Sequence, residues 1–136
     1  MIRRDRQGRG RLRRGVVLVE AAIVYPVFLM LILGTIVMGL GIFRYHQVTY
    51  VACESARWAS VRGPAYRAET NQAAPTTADV LTYARGKLVG MDSNALTGSL
   101  TMSTTSATVT LQYQWVPEAY FPAITFTSTA TAPITY

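Results

Sequence analysis

An acidic side chain inside an apolar run is the first residue in this sequence that could do chemistry. Glu20 lies in RRGVVLVEAAIVYP (13–26) and is the fifth residue of the run that begins at Val16. No charged residue follows it until Arg44. An ionised carboxylate in a lipid-facing segment is costly, so such a residue is a candidate functional group. The alternative is that Glu20 lies at the cytoplasmic interface, where a carboxylate costs little.

Other residues with catalytic or metal-binding chemistry are sparse. The chain has one histidine, His46, and one cysteine, Cys53. They support neither an internal disulfide nor a zinc site nor a Cys–His or Ser–His dyad. No glycine-rich phosphate-binding loop is present. The sequence therefore predicts no enzyme, no metal and no cofactor. Cys53 is expected to be a small packed residue, with an intermolecular disulfide as the alternative.

The net charge of +6 comes from one end of the chain. Residues 1–14 hold seven arginines and a single acid, Asp5, whereas the rest of the chain has six basic and six acidic residues. An arginine arm can bind nucleic acid through phosphate contacts. Neither a second basic patch nor an aromatic patch accompanies this arm, so no nucleic-acid partner is expected. Beside an apolar run, the arm favours a positive-inside membrane anchor with a cytoplasmic N-terminus.

The elements that position Glu20 begin with a membrane span. Residues 21–43 contain no charge over 23 positions, and about 20 apolar residues cross a bilayer core. A secretory signal would have a shorter apolar core and a small-residue cleavage site. The sequence predicts a basic cytoplasmic leader at 1–15, a transmembrane helix at 16–43, and an exterior segment from about residue 44.

The helix is expected to continue beyond the membrane over 44–62 and to end at Gly63–Pro64. Helical periodicity divides this extension into two faces. The predicted packing face contains Tyr45, Val48, Ala52, Ala56 and Ala59, and the opposite face contains Thr49, Cys53, Glu54, Arg57 and Ser60.

The remaining residues, 63–136, predict a small exterior α+β domain. Residues 63–76 are expected to form a loop, and 78–89 a helix whose inner face contains Val80, Leu81, Ala84 and Leu88. Alternation predicts a small antiparallel sheet. Three strands are expected, and each has inward-facing residues. These are Leu100 and Met102 in the first strand, Val109, Leu111, Tyr113 and Trp115 in the second, and Ile124, Phe126 and Ser128 in the third.

Four residues within the span have types suited to helix contacts. Pro26 either marks a kink or is simply tolerated, as prolines in membrane helices often are. Gly34, Thr35 and Gly39 supply small surfaces, and Thr35 and Gly39 form a small-xxx-small pair that suits close packing against another helix.

Residues 13–34, RRGVVLVEAAIVYPVFLMLILG, resemble the signal of type IV pilins and pseudopilins. The closest resemblance is to TadE-like pseudopilins of the tight-adherence (Flp) pilus system, and VTYVACESARWASVRG (48–63) is similar to that family's helix after the membrane. The resemblance implies cleavage by a prepilin peptidase between Gly15 and Val16. It also implies that Glu20 pairs with the new N-terminal amine of a neighbouring subunit.

The resemblance further implies a bacterial inner-membrane protein that takes part in pilus assembly or secretion and can associate with the pilus after processing. Its expected partners are the peptidase, other pilin or pseudopilin subunits, and the tight-adherence assembly machinery. Two fates are open, incorporation into the fibre or residence in the membrane as an assembly factor. The alternative function is an unprocessed single-pass membrane protein whose exterior domain binds a partner or wall component.

Overall fold

The computed structural model describes residues 8–117 and 122–135. The chain divides into two compact units, residues 1–39 and residues 40–136. The elements are α1 (Gly8–Ser60), α2 (Pro64–Thr70), α3 (Thr77–Lys87), a 3₁₀ turn (Ser93–Ala95), β1 (Leu96–Met102), β2 (Ser106–Trp115) and β3 (Ile124–Pro133). A long apolar helix, small helices and an antiparallel sheet confirm the predicted α+β class.

The described part of the first unit, residues 8–39, is the N-terminal part of α1. From Gly15 onward, α1 is long and apolar enough to cross a membrane, and its most apolar stretch is not buried within the chain. Apart from Val37, which is half-buried, the large apolar side chains from Val16 to Met38 are between 40% and 76% exposed. Pro26 lies inside the helix and lacks the N–H that would bond the carbonyl of Ala22. The helix nevertheless continues through this position.

The second unit has a core formed by the C-terminal part of α1, helix α3 and one face of the sheet. The buried α1 residues include Val48, Ala52, Ala56 and Ala59, as the helical pattern predicts. Alanines allow a helix to approach a neighbouring sheet closely. The following turn at 61–63 confirms the predicted end of this helix to within two residues.

Two side chains of this helix were assigned to the wrong face. Tyr45 is 47% exposed, although its ring makes an edge contact with Phe126. Ser60 is only 5% exposed, and its hydroxyl donates to the carbonyl of Arg57. The buried stripe is also wider than predicted, since Val51 and Ser55 belong to it. This part of α1 contacts both the sheet, through Tyr45 and Phe126, and α3, through Trp58 and Tyr83.

The prediction of a loop over 63–76 is wrong for its first part, because Pro64–Thr70 forms helix α2. Pro64 was interpreted as a residue that stops a helix, but it occupies the first turn of the next one, where a missing N–H costs nothing. Asn71 ends α2 in the left-handed conformation, with φ of 57°, and its N–H donates to the carbonyl of Arg67.

Helix α3 confirms the predicted helix, with its bounds shifted to Thr77–Lys87. A capping box begins it. The hydroxyl of Thr76 accepts the N–H of Asp79, and the carboxylate of Asp79 accepts the N–H of Thr76 at 2.9 Å. Val80 and Ala84 are buried, whereas Leu81 and Leu88 are half-buried.

The sheet is antiparallel, with strand order β1-β2-β3. Its inner face confirms the predicted alternation of β2, because Val109, Leu111, Tyr113 and Trp115 are all buried. The outer face consists largely of threonines. Two cross-strand pairs, Thr108–Thr131 and Thr110–Thr129, have hydroxyl oxygens 3.0 Å apart.

Candidate functional site

The candidate processing and pairing residues all lie in α1. Gly15, Val16 and Glu20 are exposed on this helix. Val16 and Glu20 are four residues apart, which places them on the same side with an axial rise of about 6 Å. Among the described side chains, at 15–117 and 122–135, no cation lies within ion-pair distance of Glu20. An acid in an apolar helix therefore lacks a counter-charge within this part of the chain.

The surroundings of Gly15 are open. Outside its chain neighbours and the backbone of its own helix, a Cβ atom built on Gly15 would meet no described atom within 4 Å. The described part of the fold thus gives no steric reason for glycine at this position. A functional reason, such as recognition by an enzyme, is compatible with that openness.

The helix-contact residues are also uncovered by the described chain. A Cβ atom added to Gly34 or to Gly39 would have no atom within 4 Å. The hydroxyl of Thr35 donates to the carbonyl of Leu31 at 2.8 Å, so it is satisfied inside its own helix. Gly34, Thr35 and Gly39 therefore form a surface of small residues. A second helix can approach this surface at low desolvation cost, because its one hydroxyl group is already hydrogen-bonded.

A stack of cations and aromatic rings joins the helices of the second unit, and no pattern in the sequence indicates it. Trp58 stacks on Tyr83 with ring centroids 5.3 Å apart. The guanidinium of Arg62 lies 3.9 Å from the Trp58 ring and 5.8 Å from the Tyr66 ring, and Lys87 lies 5.4 Å from Tyr83. Helices α1, α2 and α3 are thereby held together by residues far apart in the sequence.

The two long edges of the sheet differ. Helix α3 covers part of β1, since the N–H of Leu100 donates to Thr77 Oγ1 and Arg85 donates to the carbonyl of Leu96. Strand β3 pairs with β2 on one side, and no other described strand lies on its far side. Beside β3 is a groove of about 520 Å³ between α1, at Cys53–Val61, and the end of the strand, at Ala130–Thr135.

The remaining candidate groups make few contacts. Cys53 is exposed rather than packed, which corrects the expectation of a small buried residue. His46 makes an edge contact with Tyr45. Within residues 8–117 and 122–135, no three His, Cys, Asp or Glu side chains come together as a metal site would require. Arg57 and Glu54 form a loose ion pair at 3.8 Å.

Together these features define a class, a protein with one apolar helix able to cross a membrane and a small α+β domain. Within that class, residues 15–57 match the family described as TadE-like protein. This match confirms the resemblance drawn from the sequence. No curated protein and no solved structure is detectably similar to the chain.

The family match gives the coarse function. It indicates a component of the tight-adherence pilus system, held in the membrane by its N-terminal helix. The TadE-like family is one of structural pilus components and is not known as an enzyme family.

Proposed function

We propose that this chain is a pseudopilin precursor, cut between Gly15 and Val16 by a prepilin peptidase and used in pilus assembly through lateral helix packing. The observation that carries the proposal is that the TadE-like match begins at residue 15 and includes Glu20. The arginine leader stays in the cytoplasm, and the domain after the span lies outside, because of the positive-inside rule.

Cleavage before Val16 creates an ammonium group one helical turn from Glu20. Each charge alone is costly near the edge of the hydrocarbon layer, and pairing offsets part of that cost. Within one chain, the carboxylate must bend back over a turn of helix to reach the amine. A neighbouring helix shifted by about 6 Å along the axis brings the two groups level. Pairing between subunits therefore fixes an axial offset as well as a contact.

Other pilin or pseudopilin subunits and the tight-adherence machinery are the proposed partners of the exposed helix. The small residues Gly34, Thr35 and Gly39 allow a partner helix to approach closely, and Pro26 marks where α1 can kink. Support comes from the exposure of most of the large apolar side chains between Val16 and Met38.

Processing is tested by Gly15→Ala in cells that carry the peptidase. We expect the variant to retain its leader, since the peptidase recognises the glycine. The added methyl group meets no described atom outside its own helix, so a steric clash with the described residues would not explain a failure to mature. Gly10→Ala, the same change within the leader, is the matched control and is expected to mature normally. Normal maturation of Gly15→Ala would contradict the proposed site.

Pairing is tested by Glu20→Gln, which keeps the side-chain shape and removes the charge. We expect a membrane-bound, processed protein with impaired piliation, scored by pilus yield and by cross-linking between neighbouring subunits. Glu54→Gln is the control, because it removes the acid of the loose pair with Arg57, outside the span. Unchanged piliation in Glu20→Gln would refute the pairing role.

A second candidate function is an unprocessed membrane anchor whose exterior domain binds a partner. The groove beside β3 favours it, because an open strand edge with an adjoining groove is a common way to receive an extended segment. An intact leader on the protein recovered from membranes would support this candidate.

A further inference from the structure

Strand β3 has one edge that no described strand covers, and the backbone groups on that edge follow from the pairing with β2. The N–H of Ile134 donates to the carbonyl of Thr105 at 2.9 Å, in register with the β2–β3 pairs. In an antiparallel pair, every second residue bonds the neighbouring strand. The even-numbered residues of β3 therefore bond β2, whereas Thr127, Thr129 and Thr131 direct their N–H and C=O groups away from it. Within residues 8–117 and 122–135, no other backbone group bonds them.

This edge lacks most of the features that keep edge strands from pairing. Folded proteins protect such edges with charged side chains, prolines, bulges or short strands. Strand β3 is ten residues long, contains no charged residue and pairs with β2 without a bulge. Its one proline, Pro133, is the last residue, where a missing N–H removes only the final outward donor. The exposed stretch from Thr127 to Thr131 is therefore a template for one more strand.

The groove beside this edge indicates which side chains an added strand would carry. Its volume of about 520 Å³ is within the range of ligand sites. Small or apolar residues form much of its lining, with Ala130, Ala132 and Pro133 on the strand and Cys53 and Ala56 on α1. Alternate side chains of an added strand point to this face of the sheet. Apolar side chains at those positions would fill the space that the alanines leave.

Arg57 is the one charged residue among the described residues that line the groove. Its side chain is 77% exposed, and its guanidinium is 3.8 Å from the carboxylate of Glu54. An ion pair so long and so exposed contributes little, so Arg57 can accept a second carboxylate as a partner. The charge of the groove therefore favours an acidic segment over a basic one.

A second copy of this chain is a poorer occupant than a separate segment. Tyr45 contacts Phe126, and Cys53–Val61 adjoins Ala130–Thr135, so α1 and β3 run in the same direction. Antiparallel pairing of two β3 strands would point the two α1 helices in opposite directions. In both copies, however, Tyr45 follows the same predicted span, and the positive-inside rule gives both spans one orientation.

We propose that the β3 edge from Thr127 to Thr131 binds an extended acidic segment of a partner protein as an added antiparallel strand. Apolar side chains at alternate positions of the segment enter the groove, and a carboxylate lies opposite Arg57. The inference rests on the second candidate function, for which it names the class of partner, and it does not depend on cleavage before Val16.

Synthetic peptides test the backbone pairing. The probe is a fluorescent seven-residue peptide in which leucine and threonine alternate between a glutamate at each end. Its matched control has every peptide nitrogen methylated and therefore donates no hydrogen bond. Anisotropy with the detergent-solubilised full chain should show saturable binding of the probe and none of the control. Equal binding of both peptides, or no binding of the probe, would contradict strand addition.

Two substitutions at one position test the edge itself. Thr131→Pro removes an outward N–H and keeps the bonds to β2, and Ala130 already has the extended conformation that a following proline requires. We expect it to weaken probe binding about tenfold. Thr131→Val removes the hydroxyl that pairs with Thr108 but keeps the N–H, and it should bind normally. Circular dichroism establishes that both variants are folded, and equal affinities would contradict pairing at this edge.

A charge reversal tests the acidic character of the segment. Arg57→Glu should weaken binding of the probe about threefold to tenfold and strengthen binding of a peptide with lysine at both ends. Lys87→Glu, the matched change on α3 outside the groove, should alter neither affinity. Unchanged affinities in Arg57→Glu would overturn the preference for an acidic segment.

A second copy on the edge is the competing outcome. Analytical ultracentrifugation of the full chain in detergent would then show a dimer that Thr131→Pro dissociates, and that result would overturn the proposed occupant. A monomer that binds the probe supports it. The mass of the chain reports processing separately, so failure of strand addition and failure of processing are distinguishable.

Discussion

The two units of the chain use apolar residues in opposite ways. From Val16 to Met38, large side chains such as Leu, Ile and Phe are exposed. From Val48 to Ser60, the residues of one stripe are mostly small and are buried against the rest of the domain. Both stretches belong to α1, so helix formation alone does not distinguish them.

The difference shows what covers the apolar side chains of each stretch. In the domain, the partner is the chain itself, and burial stabilises the fold. In the first unit, the described chain offers no cover, so lipid or other helices must supply it. An exposed apolar surface of this extent is incompatible with water as its only neighbour.

The largest expected effect comes from making one substitution in both regions. Leu111→Ala removes a fully buried side chain and should lower the free energy of unfolding of the domain by about 2–5 kcal/mol. Leu31→Ala removes a side chain that is 65% exposed and should leave domain stability unchanged. Thermal and urea unfolding of the detergent-solubilised full chain measures both. A similar loss of unfolding free energy in both variants would contradict the claim that only the second region is buried within the folded chain.

A smaller effect is expected from two glycines within the domain. A Cβ on Gly98 would lie 2.6 Å from Leu111 Cδ2 and 2.6 Å from the carbonyl oxygen of Thr110. Gly98→Ala should therefore destabilise the sheet by about 1–3 kcal/mol, as overpacking does. Gly86→Ala lies in α3 with open space around it and should stabilise by about 0.5–1 kcal/mol. Thermal and urea unfolding measures both changes. A change in the free energy of unfolding with the same sign in both variants would contradict the close packing around Gly98.

A third effect, of about the same size as that of Gly86→Ala, concerns the start of α3 and depends on pH. Hydrogen bonds from the Thr76 backbone and then from its hydroxyl hold the pKa of the Asp79 carboxyl below its ordinary value. The stabilisation is thus present above the pKa of an unfolded aspartate and is lost as pH falls through the lower folded value. Thr76→Ala should cost about 1 kcal/mol at neutral pH.

The cost of Thr76→Ala should shrink in acid, measured by urea unfolding across the acidic range. Thr82→Ala, the same change in the middle of α3, should show no such pH dependence, because the Thr82 hydroxyl donates to the carbonyl of Ala78 rather than to a carboxylate. A cost of Thr76→Ala that stays constant down to strongly acidic pH would contradict the capping role of Asp79.

Much of the fold could be predicted because its signals are local. A charge-free run predicted the span, and period-two alternation from Val109 to Trp115 predicted the buried face of β2. Helix α2 was missed because Pro64 is compatible with both the end of one helix and the start of another. Tyr45 and Ser60 were misplaced because tertiary contacts, rather than helical spacing, decide the limits of a buried stripe.

For the candidate site, the sequence indicated which residues could take part, but it did not indicate which atoms surround them in the fold. The spacing of Gly15, Val16 and Glu20 is visible in the sequence, whereas the open space around Gly15 is a property of the fold. The stack of Trp58, Tyr83 and Arg62 could not be predicted, since it joins separate helices.

The central claim is that the mature protein begins at Val16. Intact-mass and N-terminal peptide analysis of protein extracted from membranes of cells that carry the peptidase tests it most directly. The account predicts a chain that has lost residues 1–15. Recovery of protein that still carries its arginine-rich leader would contradict it.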